Sequence, residues 1–331
     1  MTLLAITVII LALLFDYING FHDSANSIAT IVATRVLKPV QAVLWAAFFN
    51  LVAAFTLGTG VASSISKDYV DASIVTPHLV FAGLTGAIIW NLATWWLGLP
   101  SSSSHALIGG YAGAAVAKAG FHGLVRGKWP TTLSFIVLSP IIGMILAYLL
   151  MAVVHWLFRR TPPARADRYF RHLQLASSAL FSCAHGTNDA QKTMGIITAL
   201  LIAAGYQKDN HVQPWVIGAA SLAISLGTLS GGWRIVKTMG SRLTRLKPRS
   251  GFCAETGAAI SIFFPTFLGL PVSTTHVIAG AIAGVGSVSR RKAVRWGVAG
   301  EIVWAWVLTI PCSAFVAGVC YVVVRMFAPG A

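Results

Sequence analysis

Long apolar stretches interrupted by short polar motifs set the pattern of this chain. The apolar segments fall near 3–18, 23–34, 40–62, 79–98, 103–119, 132–158, 172–183, 190–204, 213–236, 252–269, 274–287 and 297–327. A helix needs ~20 apolar residues to cross a bilayer core, and several of these stretches reach that length. None shows the ~10-residue alternation of an outer-membrane barrel. The pattern predicts an all-α polytopic membrane protein of roughly 10–12 helical segments.

Two polar motifs each occur twice within this apolar background. Asn19-Gly20-Phe21-His22-Asp23-Ser24-Ala25-Asn26-Ser27 is paired with His185-Gly186-Thr187-Asn188-Asp189-Ala190-Gln191-Lys192. Leu99-Pro100-Ser101-Ser102-Ser103-Ser104-His105 is paired with Leu270-Pro271-Val272-Ser273-Thr274-Thr275-His276. Asp23 and Asp189 are separated by 166 positions, His105 and His276 by 171. At the second offset Thr85-Gly86-Ala87 matches Thr256-Gly257-Ala258, Leu97-Gly98 matches Leu268-Gly269, and Gly109 and Gly113 match Gly280 and Gly284. Identities at one fixed offset mark an internal duplication. The expected units are an N-terminal transmembrane repeat at 1–160, a basic cytoplasmic linker at 161–171, and a C-terminal repeat at 172–331.

Charge orients these halves. The chain has 331 residues, of which 56% are hydrophobic and 10% charged, with a net charge of +15. Its mean hydropathy is +0.76. Soluble domains average about 25% charged residues. On a soluble protein such a basic balance would point to nucleic acid. Here the Lys and Arg gather in the loops Arg159–Arg171, Arg234–Arg249 and Arg290–Arg295, with a smaller cluster at Arg35 and Lys38. That is the positive-inside pattern, so the basic loops are placed in the cytoplasm and no nucleic-acid partner is expected. Loops 63–77 and 205–213 carry few charges of both signs. Segment 40–62 leaves a basic end, whereas its counterpart 213–236 runs into one. The expected fold is therefore two inverted-topology repeats with a site near the midplane. The N-terminus lacks a basic n-region and a cleavage site, and reads as a first helix. Cys183, Cys253, Cys312 and Cys320 read as packing residues.

Breaks are expected in the long segments. Residues 3–34 would make a helix of about 48 Å at ~1.5 Å per residue, more than a ~30 Å core. Asn19-Gly20 and His185-Gly186 are the candidate breaks, and Pro100 and Pro271 mark a second pair. The prediction is broken or re-entrant helices at the midplane.

These breaks carry the candidate chemistry. Ser101, Ser102, Ser103 and Ser104 precede one apolar helix, and Ser273, Thr274 and Thr275 precede another. Hydroxyls and free N–H groups at two helix N-termini would cradle an oxyanion; a single copy would read as an ordinary N-cap. Asp23 and Asp189, with Asn19, Asn26, Asn188 and Gln191, offer oxygens to a small cation, and intramembrane acids are functional hypotheses by default. Glu255 has Leu84 as its repeat counterpart, so it reads as a one-sided coupling residue or as a salt-bridge partner of a nearby Arg. Asp16 and Glu301 also lack counterparts. His22, His105, His185 and His276 are candidates for proton relay or for orienting hydroxyls. Lys192 can pair with an anion or with a carboxylate. Serines beside His105 and paired Asp residues invite hydrolase and aspartyl-protease readings. No G-x-S-x-G elbow is present, and neither enzyme needs the same site in both halves. The reading is not an enzyme, and no cofactor is expected. An anion channel is the remaining alternative.

The four motifs, in order and across essentially the whole chain, resemble the inorganic phosphate transporter (PiT) family. That resemblance implies a secondary transporter that imports inorganic phosphate by symport and alternating access, with lipid as its surroundings and a homodimeric assembly. Asp23, Asn26, Asn188 and Asp189 would then serve the coupling cation. Asp23 and Asp189 would be ligands for Na⁺ if sodium drives transport. Ser102, Ser103, Ser104, Ser273, Thr274 and Thr275 would hold phosphate, and Glu255 matches a family acid important for transport. Phe21-His22 stands where sodium-coupled eukaryotic members typically have Ala-Asn, and the long central soluble loop of those members is absent. This resembles the bacterial proton-coupled branch of the inner membrane, which carries phosphate partly as a metal–phosphate complex. His22 tilts the reading toward H⁺ over Na⁺. A sulfate or other tetrahedral-oxyanion symporter is the alternative.

Overall fold

Proline and glycine punctuate the chain into helices. The computed structural model describes residues 1–55, 58–289 and 293–328. Arg290, Arg291 and Lys292 of the predicted basic loop lie outside the described residues. The N-terminal half forms α1 (Leu3–Ala33), α2 (Pro39–Val52), α3 (Gly60–Lys67), α4 (Pro77–Leu97), α5 (Ser103–Ala119) and α6 (Trp129–Leu157). The C-terminal half repeats the order as α7 (Pro163–Ala203), α8 (Pro214–Ser230), α9 (Trp233–Lys237), α10 (Pro248–Phe267), α11 (Thr274–Ser289) and α12 (Trp296–Phe327). Helices α2, α4, α7, α8 and α10 open on Pro at the first turn, where its missing N–H is no loss. Gly98 and Gly269 end α4 and α10 in the left-handed region at φ +68° and +69°, as a residue without Cβ can.

The halves are inverted, and the two buried cores show it. One core holds Val8 to Ile18 of α1 together with Ala190 to Leu201 of α7. The other holds Ala25 to Ile31 of α1 together with Phe170 to Ala184 of α7. The two helices therefore cross the molecule in opposite directions. Their partners follow suit: α3, α4, α5 and α8 feed the first core, and α2, α9, α10 and α11 the second. Inter-helix packing repeats under the same exchange, α5 against α12 and α11 against α6, α1 against α8 and α7 against α2. The polar motifs of α1 and α7 occupy the layer between the cores.

Among the described residues, four helices are long and apolar enough to cross a membrane: α1, α4, α6 and α12. The bent pair α8–α9 makes a fifth, with a 61° turn. The protein is an all-α, multi-pass membrane protein with broken helices. Three expectations change. First, α1 and α7 run unbroken through Asn19-Gly20 and His185-Gly186. These glycines do not break the helices; they let neighbours approach. A Cβ on Gly20 would overlap the Ile224 carbonyl of α8, and one on Gly186 would meet Asn50 of α2. Second, the breaks fall within segments 40–62 and 213–236, which divide into α2/α3 and α8/α9. Third, Pro163–Arg171 of the predicted linker is no loop but the opening turns of α7. The breaks at Pro100 and Pro271 stand as expected, between α4 and α5 and between α10 and α11.

Candidate functional site

The Pro100 and Pro271 breaks aim the N-termini of α5 and α11 at the polar layer of α1 and α7. Ser102 caps α5 by accepting from the His105 N–H at 3.2 Å, and Ser273 caps α11 by accepting from the His276 N–H at 3.2 Å. Two hydroxyls of the predicted cradle are thus spent on the helices themselves. Those that follow the caps turn inward.

Equivalent contacts appear in both halves. Ser103 donates to Asp23 Oδ1 at 3.2 Å, and Thr274 donates to Asp189 Oδ2 at 3.0 Å. Asn26 donates to Thr275 Oγ1 at 2.9 Å, and Lys192 donates to Ser104 Oγ at 2.5 Å. Each pair is related by the offsets 166 and 171, so the hydrogen bonds obey the sequence repeat. Thr275 also donates to Asp23 Oδ2 at 3.3 Å, which ties the two halves together.

Charge is concentrated and buried here. The Lys192 ammonium sits 2.5 Å from Asp189 Oδ1 and 2.9 Å from the Val272 carbonyl oxygen. Each carboxylate also meets an imidazole: His22 Nδ1 lies 2.6 Å from Asp23 Oδ1, and His185 Nε2 lies 3.2 Å from Asp189 Oδ2. Ligand atoms of Asp23, His185 and Asp189 all fall within 4.8 Å of one another. With neutral imidazoles, Asp23, Asp189 and Lys192 together carry a single net negative charge among hydroxyl and amide oxygens, and the buried Asp16 carboxyl adds no positive charge to offset it. The side-chain oxygens of Asn26 and Asn188 have no hydrogen-bond partner there. A buried carboxylate environment with spare hard oxygens suits a small cation, while the two helix N-termini suit an oxyanion.

The remaining predicted residues lie around this cluster. Ser101 donates to Thr94 at 2.8 Å, and Thr94 is 3.1 Å from His22 Nε2. His105 and His276 meet edge-on with ring centroids 4.8 Å apart, and His276 stacks on Trp306 at 4.0 Å. They brace the two helix starts against each other rather than the carboxylates. Asn188 donates to Thr266 of α10 at 2.7 Å. Gln191 Oε1 accepts from the Val61 N–H at 2.9 Å and so caps α3 from a distance. Asn19 is buried, with its side-chain oxygen unpartnered.

Glu255 lies outside the cluster, toward the basic end. Its Oε1 accepts from Thr30 at 2.6 Å and from Gln174 Nε2 at 2.9 Å, and its Oε2 accepts from Ser177 at 2.5 Å. Three neutral donors hold the carboxylate, and among the described residues no Arg forms a salt bridge with it. Thr30, Gln174 and Ser177 escaped the sequence reading because nothing in their spacing links α1 and α7 to α10. Asp16 is buried beside Asn19 and Thr193, within electrostatic reach of Asp189 and Lys192 in the cluster.

The chain is similar to known proteins along nearly its whole length. A relative from Rhizobium meliloti (strain 1021), described as a probable low-affinity inorganic phosphate transporter, is 55% identical over 96% of both chains. One from Bacillus subtilis (strain 168), described in the same words, is 47% identical over 98% of both chains. A solved structure of a sodium-dependent phosphate transporter matches with a TM-score of 0.89 at 24% identity, covering 98% of this chain and 100% of that one, a likeness of fold. Residues 19–317, from the first polar motif to the middle of α12, match the phosphate transporter family. The chain belongs to that family.

Proposed function

We propose that the protein imports inorganic phosphate across a bacterial inner membrane by symport with a cation. The observation that carries this reading is the pair of equivalent contacts, Ser103 to Asp23 and Thr274 to Asp189. They put two helix N-termini and two buried carboxylates in one place. An oxyanion at those N-termini would stand beside net negative charge. Its entry is favourable only when a cation arrives with it, and that requirement is the physical basis of coupling.

Roles then divide. Ser103, Ser104, Thr274 and Thr275 contact phosphate, with Ser101, Ser102 and Ser273 shaping the helix starts. Asp23, Asp189, Asn19, Asn26 and Asn188 receive the cation, while Gln191 supports the site by holding α3 against α7. The imidazole contacts at Asp23 and Asp189 favour H⁺ as the coupling ion, with His22 and His185 as relays. Repeats 1–160 and 172–331, joined through 161–171, are the units that rock about the site in alternating access, with the basic loops cytoplasmic. The assembly is a homodimer. Glu255 responds to events at the site through Thr30 on α1.

Uptake of labelled phosphate into proteoliposomes tests this. An inward pH gradient is expected to drive uptake, and an inward sodium gradient alone is not. Asp23→Asn and Asp189→Asn are each expected to abolish uptake while still inserting. Wild-type-like uptake in both variants would sink the cation-site assignment, and sodium-only uptake would overturn the proton assignment. Arsenate is expected to compete and sulfate is not. Adding a divalent metal during the assay shows whether phosphate travels as its complex.

A further inference from the structure

The basic end of the molecule holds a second site. Between the ends of α6, α10 and α11 lies a cavity of about 440 Å³. Arg245, Lys247, Arg249 and Arg295 line it, with His155 of α6 on the same wall. Thr244 and Ser250 add hydroxyls, and Pro248 opens α10 beside them, so the positive end of a helix faces the same space. Among the described residues none of the four cations forms an ion pair, and the chain has nine acids in all. Four cations around one concavity make it an electropositive site that favours an anion.

The cavity continues into an apolar groove. Leu243 lines the groove and its neighbour Thr244 lines the cavity. Along α6 the lining passes from Pro140 and Met144 in the groove to Met151 in the cavity, and along α11 from Ala283 to Val285. Trp296 and Val303 of α12 form the far wall of the groove, which has a volume of about 300 Å³. Val303 and Trp296 of this apolar, membrane-length helix are exposed on the molecule's flank.

The inverted repeat supplies an internal control. The equivalent groove, between α5 and α12, is larger at about 680 Å³ and equally apolar. It is lined by residues such as Val116, Phe121, Trp129 and Phe315, and among the described residues no Lys or Arg lines it. Both halves offer room for a hydrocarbon chain, but among the described residues Lys and Arg line the cavity at the basic end and not the groove of the other half.

We propose that the cavity and groove together bind one anionic phospholipid. The headgroup phosphate is held by Arg245, Arg249 and Arg295, and an acyl chain lies between α6, α11 and α12. The occupant is chosen by continuity, because a cationic pocket that opens into an apolar groove at the membrane surface matches an amphipathic anion.

Native mass spectrometry of the purified protein with phosphatidylglycerol, phosphatidylcholine or inorganic phosphate tests the site. Phosphatidylglycerol is expected to stay bound where phosphatidylcholine does not. Removing two charges in Arg245→Gln/Arg249→Gln is expected to weaken retention roughly 30-fold, at about fivefold per charge. Val303→Trp, which fills the groove, is expected to weaken long-chain phosphatidylglycerol and spare a short-chain form. Gel filtration verifies that the variants remain folded. Equal retention of both lipids, displacement of phosphatidylglycerol by millimolar inorganic phosphate, or a lipid-free dimer that buries the groove would each overturn the proposal. These residues lie apart from Asp23 and Asp189, so phosphate uptake by the same variants separates a failure here from a failure of the symport reading.

Discussion

Lys192 shows what a single residue does in this site. Under the repeat it replaces Asn26, so an ammonium stands where the other half has an amide. Its charge is buried and rests on Asp189, Ser104 and the Val272 carbonyl. Removing one member of a buried ion pair strands the other and typically costs about 3–5 kcal/mol. Lys192→Met and Asp189→Asn are each expected to destabilise the protein by about that much, and the double variant by clearly less than the sum. Thermal unfolding in detergent measures this, and strict additivity would show that the two groups do not support each other. At this scale the repeated residues were legible, because Asp23, Asp189 and the Ser/Thr runs recur at fixed offsets. Glu255 was visible as an oddity, but its environment was not. Thr30 lies 225 positions away in sequence, and only helix packing brings them together.

At the scale of elements, the glycines in the polar motifs act through packing. Gly20 lies where α1 crosses α8, against the Ile224 backbone. Gly20→Ala is expected to destabilise by at least ~1–3 kcal/mol, since backbone cannot swing aside as a side chain can. Gly218, on α8, has nothing near its missing Cβ. Gly218→Ala is expected to be neutral or to stabilise by about 0.5–1 kcal/mol through helix propensity. Paired melting curves check both, and a harmless Gly20→Ala would mean that α1 and α8 are not closely packed there. The sequence invited a break at these glycines because a long helix exceeds the bilayer core. The continuity of α1 and α7 has a different basis: each helix is buried along most of its length by partners from both halves.

For the whole molecule, inversion puts the basic loops at one end and the sparse loops at the other. Arg171 Nη1 donates to the Arg35 carbonyl oxygen at 3.0 Å, so basic segments from both halves touch. A membrane-impermeant thiol reagent tests the resulting topology in a background with the native cysteines replaced. Arg160→Cys is expected to label only from the cytoplasmic face and Ser73→Cys only from the opposite face. Labelling of both from one side would be incompatible with inverted repeats. Family membership also settles the class: this is a transporter and not an enzyme, although Ser and His adjoin in both halves.

The sequence by itself determined the membrane class, the duplication, its inversion and the residues of the central cluster. Those properties are written in hydropathy, in fixed offsets and in loop charge, all of which are local or periodic along the chain. Tertiary structure alone decided which hydroxyls cap helices and which face carboxylates, that the Lys192 ammonium rests on Asp189, Ser104 and the Val272 carbonyl, and that three neutral donors surround Glu255. It also decided that a cationic cavity runs into one apolar groove and not into its twin. These depend on the crossing of helices far apart in sequence, where close packing and the satisfaction of buried polar groups select one arrangement from many the motifs would allow.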